Sequence, residues 1–251
     1  MKDFNKPILG NVHSIETFGA FDGPGIRYVL FLQGCPLRCK FCHNRDTWAT
    51  GKNKLMSVDE ILKDYNRYRA FYKKGGLTVS GGEATLQLPF LTELFKKAKE
   101  KGIHTCLDTS AGTYNENRNK EFDELLRYTD LVLLDIKHID NERHKWLVGV
   151  PNTNVLKFAK YLSDKQIPTR LRHILIPTIN SSDNDLYNLR EFNNTLKNIV
   201  GIDVLPYHRK GIAKWEQMGL KYELMDIKEP NDKLIKHAEN ILKSNYEYML
   251  E

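Results

Sequence analysis

The feature that most constrains the fold is the alternation of short, β-branched apolar runs with amphipathic helical stretches along the 251 residues. Such alternation is typical of repeated βα units around a parallel sheet. It predicts an α/β fold, an incomplete (β/α)6 TIM-like barrel with a parallel sheet and outer helices. The predicted strands are Tyr28–Leu32, Leu77–Ser80, His104–Leu107, Leu131–Asp135, Thr169–Ile176 and Ile202–Leu205.

The intervening helices carry recognisable start and stop signals. Ser57-Val-Asp-Glu60 forms a capping box that opens a helix running to about Phe71. Pro89 begins the next helix, and Gly102 lies just beyond its predicted end. Further helices are predicted at about residues 121–128, 153–165, 183–200 and 230–244. We expect a single domain over residues 1–251, with a core at about 11–222 and a C-terminal helix at about 230–244.

Composition narrows the class of protein. The chain has no apolar run long enough to span a membrane, and its start, Met-Lys-Asp-Phe-Asn-Lys-Pro, lacks the apolar core of a signal peptide. We therefore expect a cytoplasmic protein without membrane partners. The chain has 38 Lys and Arg residues and 32 Asp and Glu residues, which gives a net charge of +6. This excess is small and spread along the sequence, so we expect no nucleic-acid partner. We also expect a monomer.

Three of the four cysteines, Cys35, Cys39 and Cys42, fall within eight residues. Metal ligation explains this crowding better than a disulfide framework does. Iron–sulfur clusters of the four-iron kind usually have four thiolate ligands, so three cysteines would leave one iron open to a substrate or cofactor. A tetrahedral zinc site that includes His43 is the alternative that the triplet alone leaves open. Cys106 lies in a predicted buried strand, where a packed thiol is expected.

Unusual residues follow the predicted strands at their carboxyl ends. In parallel βα folds these ends meet at one rim, where active sites form. We therefore expect the residues to converge on one site. They are the cysteine loop, Ser80-Gly81-Gly82-Glu83, Asp108-Thr109, Asp135-Ile136-Lys137 and Pro206-Tyr207-His208.

Several of these side chains have chemistry suited to a small ligand. The oxygens of Asp108, Thr109 and Asp135 suit a small cation or ribose hydroxyls, although capping of nearby amides is an equal alternative. Lys137 and His208 are candidate partners for a carboxylate. Arg172 is a further candidate, with a water-exposed position at a strand edge as its alternative.

The pattern Cys35-x3-Cys39-x-Phe41-Cys42 resembles the radical S-adenosylmethionine (SAM) superfamily. About forty residues later, Gly81-Gly82-Glu83 resembles the SAM-binding motif of that superfamily. The resemblance implies a [4Fe-4S] cluster with one open iron that SAM chelates. It also implies reductive cleavage of SAM to methionine and a 5′-deoxyadenosyl radical.

Six further segments are distinctive: Asp22–Arg27, Gln33–Cys35, Cys42–Trp48, Gly102–Thr109, Leu133–Lys137 and Leu205–His208. Together they resemble the pyruvate formate-lyase activating enzyme family, over about residues 11–222. The resemblance implies hydrogen abstraction from a glycine of pyruvate formate-lyase under anaerobic conditions, with reduced flavodoxin or ferredoxin as the electron donor. Ala84 departs from the proline of many relatives and Leu133 from the methionine of some activases, but neither change removes a required donor.

The same resemblance implies roles for individual residues. Cys35, Cys39 and Cys42 would bind the cluster, and Asp22 would contact the glycine-bearing loop of the partner. Asp108, Thr109 and Asp135 would form a monovalent-cation site. The residues expected to contact SAM are Phe41, Cys42, His43, Gly81, Gly82, Glu83, Asp135, Ile136, Lys137, His138, Ile139, Arg172 and His208.

Three other functions remain open at this point. One is an activase of another glycyl-radical enzyme, although such activases often carry an inserted ferredoxin-like segment with additional cysteines, and here only Cys106 lies outside the triplet. A second is a radical SAM enzyme that acts on a small molecule. A third is a zinc-binding interaction module without catalysis.

Overall fold

The computed structural model describes residues 7–246. Within this range, eight strands form one sheet in the order β3-β1-β2-β4-β5-β6-β7-β8. From β2 onward all pairings are parallel, whereas β1 pairs antiparallel with both β2 and β3. The strands are β1 Leu9–Gly19, β2 Arg27–Leu32, β3 Lys54–Ser57, β4 Gly76–Gly81, β5 Thr105–Thr109, β6 Leu131–Asp135, β7 Thr169–Leu175 and β8 Ile199–Pro206.

Helices connect the parallel strands in the right order for βα units. In the described range they are α1 Val58–Tyr68, α2 Leu88–Glu100, α3 Asn119–Leu126, α4 Asn141–Val148, α5 Thr153–Asp164, α6 Asp183–Asn194, α7 Ile212–Gln217 and α8 Asp232–Lys243. Short 3₁₀ turns lie at Arg45–Thr47, Arg69–Tyr72, Ala84–Gln87, Glu116–Arg118 and Arg209–Gly211. None of the helices in residues 7–246 has both the length and the apolar character needed to cross a bilayer.

The predicted fold class is confirmed: the sheet is mostly parallel, open rather than closed, and covered by helices. All six predicted strands are present, with ends shifted by up to three residues. The capping box is also present, since the Glu60 amide donates to Ser57 Oγ and the Ser57 amide donates to Glu60 Oε2. Gly102 adopts a φ of +67° just beyond α2, as expected for a C′ residue.

Several elements differ from the sequence prediction. The helix expected over residues 183–200 ends at Asn194, and residues from Ile199 onward extend β8 along β7 instead. The sequence analysis does not predict strands β1 and β3 or helices α4 and α7. Residues 1–6 and 247–251 lie outside the described residues, so the domain boundaries and the reading of the N-terminus stay predictions.

Most buried apolar side chains of the described residues belong to one of two clusters. The main core lies between the sheet and the surrounding helices. A second cluster underlies the cysteine loop and includes Leu37, Trp48, Trp215 and Tyr222. Cys106 belongs to neither, because it packs with Leu131 and Leu133 in a small separate cluster, as a buried thiol. The second cluster gives the cysteine loop its own packed support.

Candidate active site

A cavity of about 330 Å³ lies where the parallel strands end. Its volume falls in the usual range of small-molecule sites. Residues that follow β2, β4, β5 and β6 line it, together with Arg172 and Ile174 of β7. The predicted site residues on its wall are Asp22, Cys35, Cys39, Phe41, Cys42, His43, Gly81, Gly82, Asp108, Thr109, Asp135, Lys137 and Arg172.

The cysteine loop is fixed from one side by the end of α4. The Arg38 amide donates to Val148 O (2.8 Å), and the Lys40 amide donates to Leu147 O (3.0 Å). The last carbonyls of a helix have no partner within the helix, so α4 supplies acceptors to this irregular loop. Inside the loop the Cys42 amide donates to Cys39 O. The three cysteines are therefore held in a defined backbone arrangement on the wall of the cavity.

Two glycines at the end of β4, Gly81 and Gly82, allow the other side of the loop to come close. A Cβ on Gly82 would lie 2.2 Å from Gly34 O, and one on Gly81, at φ +128°, would lie 2.2 Å from Leu32 N. The Glu83 amide donates to Gly34 O (2.8 Å) across this contact. Side chains would force the cysteine loop away from β4, which explains the glycine pair.

Burial governs the pKa values of the three thiols in the loop. Burial raises the pKa of Cys35 to about 12 and also raises the pKa values of Cys39 and Cys42. Positive charge from a metal is the usual means of ionising such thiols. Among residues 7–246, no three His, Cys, Asp or Glu side chains converge as a single-ion site requires. Three thiol ligands are one fewer than a four-iron cluster usually has, so a cluster bound here would keep one iron open.

Asp135 and Lys137 form a buried ion pair on the lining of the same cavity. Lys137 Nζ lies 2.9 Å from Asp135 Oδ2. Burial opposes ionisation of Asp135, but Lys137 and Arg172 outweigh it and lower the pKa of Asp135. Asp135 Oδ1 is buried and has no hydrogen-bond partner among the described residues. This oxygen is therefore free to accept a hydrogen bond from a ligand or to contact a cation.

Arg172 is buried in a second ion pair. Its Nη1 lies 3.1 Å from Asp108 Oδ1, and Ser80 Oγ donates to Asp108 Oδ2 (2.7 Å). The side chain of Arg172 is 13% exposed, so the alternative of a water-exposed strand edge is wrong. Its Nε has no partner within residues 7–246. A carboxylate in the cavity would satisfy this donor.

Burial raises the pKa values of two further carboxyls that interact with Arg172, those of Asp108 and Asp22. It raises the pKa of Asp108 more than Arg172 lowers it. Half-buried Asp22 follows the same pattern, with burial raising its pKa against the opposing charges of Arg172 and Arg27. Asp22 lies at the wall of the cavity. The proposed contact of Asp22 with a partner loop stays a prediction.

The carboxylate of Glu83 ties two loops together and is not part of the cavity lining. It accepts from the hydroxyls of Thr85, Thr109 and Ser110 and from the amides of Thr85 and Ser110. Glu83 is 1% exposed. The Thr109 hydroxyl is thereby engaged, since it also accepts from the Ala111 amide. A cation at Thr109 would therefore need a different atom of that residue, and the cation site stays a prediction.

Besides Glu83, four predicted residues do not line the cavity. His208 stacks on His43 with ring centroids 4.0 Å apart, and its carbonyl oxygen lies 3.1 Å from His43 Nε2. His138 is fully buried, with Nε2 against Ile179 O and Nδ1 accepting from the Asp140 amide. Ile136 is buried beside β7, and Ile139 packs on the main core. Their contact with SAM stays a prediction.

Sequence reasoning assigned no role to Trp48, although it is buried on the cavity wall. Its Nε1 donates to Cys42 Sγ at 3.3 Å. The guanidinium groups of Arg45 and Arg38 lie 3.8 Å and 4.9 Å from the centroid of its ring. The available signal was an aromatic residue six positions after Cys42 that follows two arginines in the sequence, Arg38 and Arg45.

Comparisons with known proteins show the family of the chain. Residues 29–190 match the model of the radical SAM superfamily. A pyruvate formate-lyase-activating enzyme from Staphylococcus epidermidis is 48% identical over 236 residues, which cover 92% of this chain and 94% of that protein. A protein of the same name from Staphylococcus aureus strain USA300 has the same identity and coverage.

Solved structures share the fold. A domain of a pyruvate formate-lyase-activating enzyme from Bacteroides vulgatus superposes with a TM-score of 0.57 at 26% identity, covering 68% of this chain and 94% of that one. Streptococcus suis SuiB bound to S-adenosylmethionine gives 0.60 at 17% identity, covering 85% and 46%. From these matches and the site they accompany, the chain belongs to the radical SAM superfamily and, within it, to the family of pyruvate formate-lyase-activating enzymes.

Proposed function

We propose that this protein activates pyruvate formate-lyase by generating a glycyl radical on it, using a [4Fe-4S] cluster and SAM under anaerobic conditions. The observation that carries the proposal is the convergence of Cys35, Cys39 and Cys42 with the ion pair of Asp135 and Lys137 on one cavity. The 48% identity to enzymes of that name supports the choice of partner.

The donor set fits both groups. Three thiols match a cluster with one iron left open, and the tight contact of Gly82 with the loop leaves its backbone beside Cys35. Asp135 Oδ1 and Arg172 Nε are buried atoms without partners among the described residues, one an acceptor and one a donor. SAM carries an amino group, a carboxylate and ribose hydroxyls, which these atoms complement.

When bound, the cluster and SAM supply a carbon-centred radical that takes a hydrogen atom from glycine. The chain's own residues position the ligand and shield it from water. Phe41 and Leu37, both buried, form an apolar wall that excludes water from the cavity. Lys137 lies 5.5 Å from the centroid of the Phe41 ring and keeps the Asp135 carboxylate oriented. Arg172, held by Asp108, presents a fixed cation to the ligand carboxylate.

We also propose an electron donor, a cation and a contact with the partner enzyme. The electron comes from reduced flavodoxin or ferredoxin, because a low-potential cluster needs a donor of that class. A monovalent cation would lie near Asp108, Thr109 and Asp135, and Asp22 would contact the glycine-bearing loop. We further propose that the chain is a single radical SAM domain that acts as a monomer in the cytoplasm.

The test mixes reduced, iron-loaded protein with SAM and pyruvate formate-lyase anaerobically and records the electron paramagnetic resonance spectrum. A glycyl radical on the partner is the expected result, and Cys39→Ala should give none because one cluster ligand is lost. No radical with pyruvate formate-lyase, but one with another glycyl-radical enzyme, would reject the partner. One equivalent of zinc without iron or sulfide would reject radical chemistry.

A further inference from the structure

Two tryptophans hold the same cysteine by different atoms. Trp48 Nε1 lies 3.3 Å from Cys42 Sγ, whereas Trp215 Nε1 donates to Cys42 O at 2.8 Å. Both indoles are buried, and they meet edge to face with centroids 5.7 Å apart. An indole N–H is a donor only, so a buried one needs an acceptor. For Trp48 the acceptor is the sulfur itself.

The surroundings of Trp48 keep this N–H aimed at the sulfur. The residue ends the 3₁₀ turn Arg45–Thr47, and its carbonyl accepts from the Cys35 amide at 3.4 Å. Arg38, which lies 4.9 Å from the indole centroid, also donates to Cys35 O at 2.7 Å. The indole therefore has little freedom to turn away. Its donor is fixed relative to two of the three cysteines.

Positive charge accompanies the donor. The Arg45 guanidinium lies 3.8 Å from the Trp48 centroid and 5.5 Å from that of Trp215. Cations on the face of an indole are attracted to its π electrons, and they make its N–H a stronger donor. Hydrogen bonds to the ligand sulfurs are among the factors that set the reduction potential of iron–sulfur clusters.

We propose that Trp48 is a positioning residue that raises the reduction potential of the cluster by hydrogen-bonding to the sulfur of Cys42. The inference rests on the proposed function, because it requires that Cys42 ligate the cluster. Reduction adds one electron to the cluster and transfers no atom, so the indole keeps its proton throughout. The added negative charge falls partly on the sulfurs, and the N–H stabilises this reduced state.

The matched test compares Trp48→Phe with Trp215→Phe. Each variant keeps a buried aromatic ring near Arg45, but the first loses the donor to sulfur and the second loses the donor to the carbonyl. Midpoint potentials are measured by anaerobic dithionite titration of the iron-loaded proteins, followed by electron paramagnetic resonance. At a fixed poise, Trp48→Phe should show about a tenfold lower ratio of reduced to oxidised cluster, a shift of about 59 mV for one electron. Trp215→Phe should change the ratio less than twofold.

A second measurement uses the unmutated protein and does not depend on the folding of a variant. Protein grown with indole-¹⁵N tryptophan and loaded with iron is reduced, and its pulsed electron paramagnetic resonance spectrum should contain a ¹⁵N coupling that persists in Trp215→Phe. Absence of that coupling, or equal shifts in the two variants, would overturn the role of Trp48. If the unmutated protein assembled no cluster, the proposed function itself would fail.

Discussion

At the scale of single residues, Glu83 shows how a motif residue acts at a distance from the ligand. The contact of the Gly-Gly-Glu backbone with SAM stays a prediction, while the carboxylate of Glu83 receives five hydrogen bonds from Thr85, Thr109 and Ser110. It thus joins the end of β4 to the loop after β5. Sequence alone did not indicate this, because the hydroxyl partners 26 and 27 positions away are brought close only by the parallel pairing of the strands.

Replacing Glu83 with Gln should therefore destabilise the protein strongly. The amide nitrogen cannot accept hydrogen bonds, so some of the five donors, three of them buried, lose their partner, at a cost of about 2–3 kcal/mol in unfolding free energy. Denaturant unfolding followed by circular dichroism measures the change. Glu93→Gln, on partly exposed α2, is the control and should change stability by less than about 0.5 kcal/mol. Equal effects of the two substitutions would show that Glu83 is not a structural tie.

Asp135 is the residue whose free oxygen should matter most for the ligand. Asp135→Asn removes the negative charge beside Lys137, and we expect SAM affinity to fall about tenfold, or about 1.4 kcal/mol. Isothermal titration of the iron-loaded protein measures this. The control is Asp203→Asn, since Asp203 also pairs with an arginine at a strand but lies outside the cavity. Unchanged SAM affinity in Asp135→Asn would remove Asp135 from the site.

At the scale of elements, the glycines at the end of β4 and the end of α4 hold the cysteine loop from two sides. The glycine pair was identified from sequence, because its position after an apolar run is a local signal. Helix α4 was not, since its residues Asn141–Val148 have little amphipathic pattern. Its role depends on the amides of Arg38 and Lys40, about a hundred residues earlier in the chain. No local pattern encodes such a contact.

Gly82→Ala tests the first support. The new Cβ would meet Gly34 O at 2.2 Å, so the cysteine loop must shift, with an expected loss of about 1–3 kcal/mol in stability. Because the shift moves Cys35, the iron bound per chain should fall at least twofold by elemental analysis. Gly51→Ala, whose added Cβ would meet no atom within 4 Å, should bind iron normally. Normal iron content in Gly82→Ala would contradict the close-contact explanation.

The pH dependence of stability tests the support that α4 gives, because His144 lies in that helix. Burial lowers its pKa to about 4 against an opposing hydrogen bond to Val150 O, whereas an unfolded histidine titrates near 6.5. Between these values the unfolded chain binds the extra proton, so α4 loses stability as the pH falls from about 6.5 to about 4. The full contribution of this one group is about 3 kcal/mol.

The substitution His144→Gln should therefore flatten the dependence of unfolding free energy on pH over that interval. Denaturant titrations of the metal-free protein at pH 7 and pH 5 measure the slope. His237→Gln, at an exposed position on α8, should keep the slope of the original chain. A slope unchanged by His144→Gln would show that another group causes any loss of stability in acid.

At the scale of the whole molecule, the alternation of apolar runs and helices was sufficient to predict the parallel half of the sheet and the rim where the site lies. Strands of a parallel sheet are buried on both faces, so their sequences are continuous apolar runs, which are easy to recognise. Strand β1 was missed because it is mostly half-exposed and polar, and β3 because it is short. Both lie on the antiparallel side of the sheet, where neighbours rather than local sequence decide the structure.

In the site, too, local sequence signals predicted the positions of some residues but not their contacts. Residues at the carboxyl ends of strands, such as Asp108 and Asp135, and in the loop after β2, such as Cys42, line one cavity as expected. His208 was expected there too, yet it stacks on His43 outside the lining. The ion pairs, the network of Glu83 and the contact of Trp48 with Cys42 depend on the folded arrangement of the chain, so they became visible only in three dimensions.

The most direct test of radical transfer from SAM to the partner follows one hydrogen atom. Pyruvate formate-lyase is produced with α-deuterated glycine and mixed anaerobically with the reduced, iron-loaded protein and unlabelled SAM. Mass spectrometry of the 5′-deoxyadenosine then reports where the hydrogen went. We predict one deuterium in each 5′-deoxyadenosine formed, matched by an equal amount of glycyl radical. Formation of 5′-deoxyadenosine without deuterium would contradict abstraction from glycine.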